Sequence, residues 1–236
     1  MTMRRRMMVG FAVVLALSIV GTSSGRAQCP HMPGLDNPAV RLEVMEPQLI
    51  YRHDVDLFGL SKIRKTFESA PKGTYMLGVT MRNDQLNLQM RSTTVQLSKD
   101  RYCLWPTEVT GQLGNRSMDV YVAANYVTGT CEYKVVLDHE NTHVSINRSV
   151  IKAYGPRIEA QLRLAVKSTL FPMVVNTADS QQALKTLSAA VQGLLSQMEN
   201  ELRQRNGAID TPEAYRRTAA LCHNWFPKGT LLPRQD

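Results

Sequence analysis

Residues 133–146 read YKVVLDHENTHVSI, and the character of the chain changes inside this stretch. Before Leu137, segments rich in β-branched and aromatic residues are separated by Gly, Asn, Asp and Pro, which is typical of strands and turns. From Asp138 onward, apolar residues recur with the helical period. The sequence therefore predicts an α+β fold in a single domain over 28–236, with a mostly antiparallel β-rich half, 28–137, and a helical half, 138–236.

The same patterns give bounds for the individual elements. We expect strands over 40–45, 73–81, 86–97, 101–109, 118–126 and 131–137. A first helix is expected over 138–154, where Gly155 and Pro156 should end it, because proline has no backbone N–H to continue the helix. A second helix should run to about residue 170, a third over 180–205, and a short fourth one from Asp210 or Thr211.

The beginning of the chain has the composition of an export signal. Arg4, Arg5 and Arg6 precede the uncharged apolar run 7–20, and Gly25 and Ala27 supply the small residues that a signal peptidase requires. The run has 14 residues, fewer than the roughly 20 that span a bilayer. We therefore expect residues 1–27 to be a cleaved signal peptide and the protein to be periplasmic or secreted in a bacterium, with no stable membrane span after cleavage.

Charge and cysteine content narrow the functional classes further. Removing the four arginines of the predicted signal lowers the formal net charge from +8 to +4, without a basic run or interleaved aromatics, so we expect no nucleic-acid partner. The four cysteines have no CxxC spacing, and in an oxidising compartment two disulfides are the default. Three pairings are possible; the one favoured joins Cys103 to Cys131 and Cys29 to Cys222, because the first two lie in segments predicted as neighbouring strands.

The stretch quoted above contains the pattern HExxH. On a helix, His139 and His143 are four residues apart and lie on one face, where both imidazoles can bind one Zn²⁺. Glu140 lies about 100° around the helix from His139, beside such a metal without being bound to it. This pattern suits hydrolysis, in which the metal activates a water molecule and Glu140 acts as the general base.

Over these fourteen residues the chain resembles the zincin metallopeptidases and, more loosely, bacterial envelope proteins in which a β-rich half leads into an HExxH helix. The resemblance implies a zinc-dependent peptidase with a peptide or protein substrate in the cell envelope. It also implies a tyrosine that stabilises the oxyanion, for which Tyr154 and Tyr215 are candidates. The alternative is a non-catalytic envelope protein, binding or structural, that keeps a zincin-like helix.

A third protein ligand to the metal is expected but not identified by the sequence. The extended motif HExxHxxGxxH is absent, since Ile146 and Ser149 occupy the positions of its glycine and third histidine. A gluzincin-like arrangement takes a glutamate from a later helix. The candidates are Glu159, Glu199 and Glu201 on predicted helices, and His223 if the ligand is a histidine.

Overall fold

A computed structural model describes residues 29–67, 76–168, 171–176 and 180–225 of the chain. The predicted signal peptide lies outside these residues. The described elements, in chain order, are β1 (Ala39–Val44), β2 (Gln48–Arg52), α1 (Leu57–Phe67), β3 (Gly78–Met81), β4 (Gln85–Ser98), β5 (Arg101–Gly114), β6 (Ser117–Val122), α2 (Cys131–Lys167), β7 (Met173–Val175), α3 (Gln181–Ile209) and α4 (Pro212–Ala219).

The fold is α+β, as predicted, with most strands in the first half and most helical residues in the second. One sheet has the order β1-β5-β4, with β7 also paired to β5, and the other has the order β2-β6-β3. The pairings of β3 with β6, β4 with β5 and β5 with β7 are antiparallel, whereas β1 with β5 and β2 with β6 are parallel. The predicted antiparallel majority is therefore confirmed.

Three segments of the chain each contribute one strand to both sheets. Short links join β1 to β2, β4 to β3 and β5 to β6, and the backbone bond from Met45 N to Leu113 O continues the pairing into the link. Buried polar side chains stabilise this junction: Asp84 accepts hydrogen bonds from Asn115 Nδ2 at 2.7 Å and from Asn147 Nδ2 at 2.9 Å. Asn147 belongs to α2, so the junction also fixes that helix.

Helix α2 packs across both sheets and organises the core. On the buried side of α2, Val136 packs in a hydrophobic cluster with residues of α1, and Val144 packs against β6. Further along, Val150 and Ile158 belong to a larger cluster that also contains residues of β1, β5 and α3. The HExxH segment lies between these apolar contacts, on a helix anchored at both ends.

The predicted strand 131–137 is wrong, because these residues form the first two turns of α2. Thr130 caps the helix, since its hydroxyl oxygen accepts a hydrogen bond from Tyr133 N at 3.3 Å, and Glu132 lies in the first turn, where negative charge is favourable. The β-branched pair Val135 and Val136 suggested a strand. Packing of Val136 in the core outweighs that preference, which is small for each residue.

The predicted helix break at Gly155 and Pro156 is also wrong, because α2 continues to Lys167. A Cβ atom added at residue 155 would lie 2.4 Å from Val44 Cγ2, so glycine allows the helix to cross β1 at close range. Tyr154 and Ile158 are buried on either side of the proline. This packing compensates for the hydrogen bond that Pro156 cannot make.

Both disulfides differ from the favoured pairing. The structure joins Cys29 to Cys103 and Cys131 to Cys222. Because residue 131 begins a helix instead of lying in a strand beside residue 103, the predicted Cys103–Cys131 bond cannot form. Two disulfides are compatible with an exported protein.

Three further elements were not predicted from the sequence, namely α1, β2 and β7. The described part of β3 is shorter than the strand expected over 73–81, and residues 73–75 lie outside the described residues. Among the described residues, no helix is long and apolar enough to cross a membrane.

Candidate metal centre

The two histidines of the HExxH motif point towards one another. His139 and His143 lie one turn apart on α2, and their Nε2 atoms are 3.2 Å apart with the rings nearly perpendicular. Two imidazole nitrogens that converge in this way can share one cation. The structure therefore brings together the pair that the sequence predicted.

Helix α3 supplies a third donor. It packs antiparallel to α2, as the contacts Arg157 with Gln197, His143 with Asn206 and His139 with Asp210 show. Asp210 is the C-cap of α3. Its Oδ1 lies 3.0 Å from His139 Nε2 and 3.3 Å from His143 Nε2.

The three donor atoms have the spacing of ligands around a small divalent cation. With bonds of about 2.05 Å, an ideal tetrahedron separates its ligand atoms by about 3.3 Å. The observed separations among His139, His143 and Asp210 are 3.0 to 3.3 Å, so little movement is needed to accept an ion. Two histidines and one aspartate could hold a metal ion, although this set does not by itself specify zinc.

The three donor residues differ in how far their side chains are exposed to solvent. The histidine side chains are 19% and 14% exposed, whereas the Asp210 side chain is 37% exposed. A catalytic zinc site requires an open position for water or substrate beside its protein ligands. Of the three donors, Asp210 is the one most exposed to solvent.

Asn206 fixes the orientation of the His143 ring. Its Nδ2 donates to Leu202 O at 2.8 Å, which directs its Oδ1 towards His143 Nδ1 at 2.7 Å. An amide oxygen only accepts, so Nδ1 of His143 carries the hydrogen. The neutral ring then presents the lone pair of Nε2 to the cation, which is the usual role of a hydrogen-bond partner behind a metal-binding histidine.

Glu140 lies on the side of α2 that faces β3. Its side chain is buried, and Oε2 accepts a hydrogen bond from Thr80 Oγ1 at 2.8 Å. Burial raises the pKa of Glu140 above its ordinary value, and the positive charges of His143 and His139 and the Thr80 hydrogen bond only partly oppose this. The raised pKa means that the buried site favours the uncharged form of this carboxyl group more than water does.

Gly78 makes the room for this carboxylate. A Cβ atom at position 78 would lie 2.7 Å from Glu140 Oε1 and 2.8 Å from the backbone oxygen of Tyr121. We expect Gly78→Ala to lower the free energy of unfolding by about 1 to 3 kcal/mol, the usual cost of overpacking, and to displace Glu140. Urea unfolding measures the first effect.

Gly193 is the matched control for that substitution. It lies within α3, and no atom would approach an added Cβ within 4 Å. Gly193→Ala should therefore stabilise the protein by about 0.5 to 1 kcal/mol, because alanine is the better helix former. Equal unfolding free energies for Gly78→Ala and the unmodified protein would show that the space at position 78 is not needed.

Without a cation, His143 and Asp210 form an ion pair. Burial alone lowers the pKa of His143, but the hydrogen bond to Asp210 and the negative charges of Glu140 and Asp210 raise it to about 9. Burial alone would raise the pKa of Asp210, but the hydrogen bonds from His139 and His143 lower it below its ordinary value. At neutral pH a proton on His143 therefore occupies the position that a cation would take.

Zinc binding is consequently expected to depend on pH. Because the raised pKa keeps His143 protonated below pH 9, zinc must displace a proton, and the apparent affinity should rise about tenfold for each pH unit between pH 6 and pH 8. Competition with a chelator of known affinity at each pH measures this slope. An affinity that stays constant over this range would show that His143 is not protonated in the metal-free protein.

None of the predicted third ligands lies in this group. Glu159 accepts from Leu42 N at 2.9 Å and pairs with Arg163, and Glu199 pairs with Arg82. Glu201 pairs with Arg205 at 2.6 Å. His223 is exposed beside Cys222. Each glutamate candidate already has a cationic or backbone partner, and the carboxylate beside the two histidines is that of Asp210.

Sequence reasoning missed Asp210 because it was interpreted as the beginning of the last helix. Helix α3 instead continues past its predicted end at residue 205 to Ile209, and Asp210 is its C-cap. The two candidate tyrosines lie in different surroundings. Tyr154 is buried beneath Arg157, whereas Tyr215 Oη donates a hydrogen bond to Asp210 Oδ1 at 3.2 Å. Only Tyr215 lies beside the metal-binding group.

Comparison with known proteins gives no family for this chain. No family model, curated protein or solved structure matches it.

Proposed function

We propose that this protein is an exported zinc-dependent metallopeptidase that hydrolyses peptide bonds. The observation that carries the proposal is the convergence of His139 Nε2 and His143 Nε2, on the helix that also carries Glu140, with Asp210 Oδ1 at the end of α3, at mutual distances of 3.0 to 3.3 Å. Two histidines one turn apart, a later carboxylate and an adjacent buried glutamate are the parts that zinc-assisted hydrolysis uses.

Each residue then has a defined part in the reaction. His139, His143 and Asp210 hold the zinc ion, and Asn206 keeps the His143 ring in the tautomer that binds. When bound, zinc supplies a Lewis acid that polarises the peptide carbonyl and a water molecule. As the general base, Glu140 would accept a proton from the attacking water and return it to the leaving amine.

The proposed location and substrate follow from the export signal and the disulfides. Two disulfides are compatible with an oxidising compartment, and residues 1–27 have the pattern of a signal peptide. We place the mature protein in the periplasm or outside the cell, where its substrates are peptides or proteins of the cell envelope. Amino-terminal sequencing of the mature protein should begin near Gln28.

A second candidate function is a non-catalytic envelope protein with a metal-stabilised helix pair. The observation in its favour is that the Glu140 carboxylate is buried against β3 and bonded to Thr80, away from solvent. Such a protein would bind zinc with the same three residues and hydrolyse nothing. Stoichiometric zinc with no cleavage across a broad library of quenched fluorogenic peptides would favour this candidate.

The ligand set is tested by exchanging one carboxylate at a time. Asp210→Asn is expected to lower zinc affinity at least about 100-fold, because even the loss of an indirect partner of a metal ligand costs about 10- to 100-fold. The matched control is Glu201→Gln, which removes the same charge from an exposed pair with Arg205 and should leave zinc affinity within about twofold. Equal losses in the two variants would contradict the assignment of Asp210.

A further inference from the structure

The third ligand lies on a weakly anchored part of the molecule. Leu202 is the last buried residue of α3, and residues 203–210 are exposed or half-buried. Asp210 therefore lies two helical turns beyond the last core contact of its own helix. The helix that follows, α4, has eight residues and none of them is fully buried, although Tyr215 and Ala219 pack half-buried against the core cluster that contains Val136. A helix of this length is not stable in water without contacts to the rest of the molecule.

A covalent bond and two polar or aromatic contacts hold the chain just after α4. Cys222 is bonded to Cys131, the first residue of α2, and Asn224 N donates to Glu132 Oε1 at 2.7 Å. The Trp225 ring contacts Tyr126 edge-on, with ring centroids 5.7 Å apart. We call this group the clasp; its members are Cys131–Cys222, Glu132–Asn224 and Tyr126–Trp225.

Both cysteines of the clasp are close in sequence to a residue of the candidate metal centre. Residue 131 precedes His139 by two turns of α2, and Cys222 follows Asp210 by twelve residues. Within those twelve residues, Tyr215 donates a hydrogen bond to Asp210 and its ring centroid lies 5.9 Å from that of His139. With the disulfide formed, Asp210 is connected to His139 by the twelve residues up to Cys222, the bond to Cys131 and two turns of α2. This short connection restricts the positions that Asp210 can occupy.

We propose that the Cys131–Cys222 disulfide is a positioning device for the metal centre, which holds Asp210 within reach of the cation bound by His139 and His143. The inference extends the proposed function and rests on it for the identity of the ion. Without the bond, α4 and the last turns of α3 separate from α2, and the effective concentration of the Asp210 carboxylate at the histidines falls. The other disulfide, Cys29–Cys103, has no such role.

The two disulfides form a matched pair for the test. Their sequence separations are 91 and 74 residues, so removing either one should release a similar amount of loop entropy. Cys103 lies on β5 opposite Val95 and Val174, in the sheet that does not contact Glu140. A general loss of stability therefore affects both variants, whereas displacement of Asp210 affects only one.

The experiment compares two double variants. The first combines Cys131→Ser and Cys222→Ser, and the second combines Cys29→Ser and Cys103→Ser. In the first variant zinc affinity should fall about 10- to 100-fold, the cost of losing support for a metal ligand, and amide hydrogen exchange over 203–219 should accelerate. In the second variant zinc affinity and exchange over 203–219 should stay within about twofold of the unmodified protein. Equal zinc affinities in the two variants, or unchanged exchange over 203–219 in the first, would overturn the proposal.

Hydrogen exchange separates this proposal from the proposed function. If the unmodified protein binds no zinc, the proposed function fails, while faster exchange confined to 203–219 still supports the clasp and unchanged exchange rejects it. If the first variant does not fold, folded unmodified protein is treated with a water-soluble phosphine, which is oxidised to its oxide as each disulfide is reduced to two thiols. Exchange over 203–219 that does not respond to reduction of Cys131–Cys222 would again reject the clasp.

Discussion

Glu140→Gln is expected to lower the rate of peptide hydrolysis about 10³-fold and to leave zinc bound. General base catalysis typically contributes about 10² to 10⁴ in rate, and glutamine cannot accept the proton. The substitution keeps the size of the side chain and an oxygen that accepts from Thr80, so the contact with β3 survives. Cleavage of fluorescein-labelled casein and zinc content per chain are the two measurements.

The control is Glu201→Gln, which makes the same chemical change on α3 outside the metal centre. It should hydrolyse casein at the unmodified rate. Hydrolysis by Glu140→Gln at the unmodified rate would exclude Glu140 as the base. Loss of zinc in that variant would instead identify Glu140 as a ligand, which the position of its carboxylate beside Thr80 argues against.

Replacing both His139 and His143 by alanine is expected to remove zinc completely. Asp210 alone retains one donor atom, and a single carboxylate cannot compete for zinc with a chelator. We expect metal content to fall from about one zinc per chain to background, with all hydrolysis lost. Elemental analysis after dialysis against a chelator provides the measurement.

The double replacement of His31 and His223 is the matched control, since both side chains are exposed and neither lies in the metal-binding group. That variant should keep its full zinc content. Circular dichroism should report the same helix content in both double variants, because α2 is held by its buried side and not by the histidines. Zinc retained after loss of His139 and His143 would place the metal elsewhere in the protein.

The parts of the site that lie on one helix could be predicted from the sequence. His139, Glu140 and His143 are related by the helical period alone, and local geometry is enough to place them on adjacent faces. The α+β division was predictable for the same reason, because hydrophobic periodicity is a local property. Thr130 is a local signal of the same kind, because a threonine that caps a helix marks the beginning of α2 ahead of Val135 and Val136.

The contacts between distant segments could not be predicted in this way. Asp210 contacts His139 only because α3 extends about one turn past its predicted end at residue 205. No local sequence pattern distinguishes an aspartate that ends a helix from one that could bind a metal. The disulfide pairing was wrong for a related reason. An incorrect element at 131–137 placed Cys131 beside Cys103, and the error in secondary structure became an error in connectivity.

The hydroxyl of Thr80 has two acceptors within reach but only one hydrogen to give. Besides the carboxylate, it lies 3.1 Å from the main-chain oxygen of Glu140. Whichever of the two oxygens accepts that hydrogen, the buried donor stays paired and β3 stays bonded to the HExxH turn of α2. A single hydroxyl therefore ties both the main chain and the side chain of residue 140 to the neighbouring sheet.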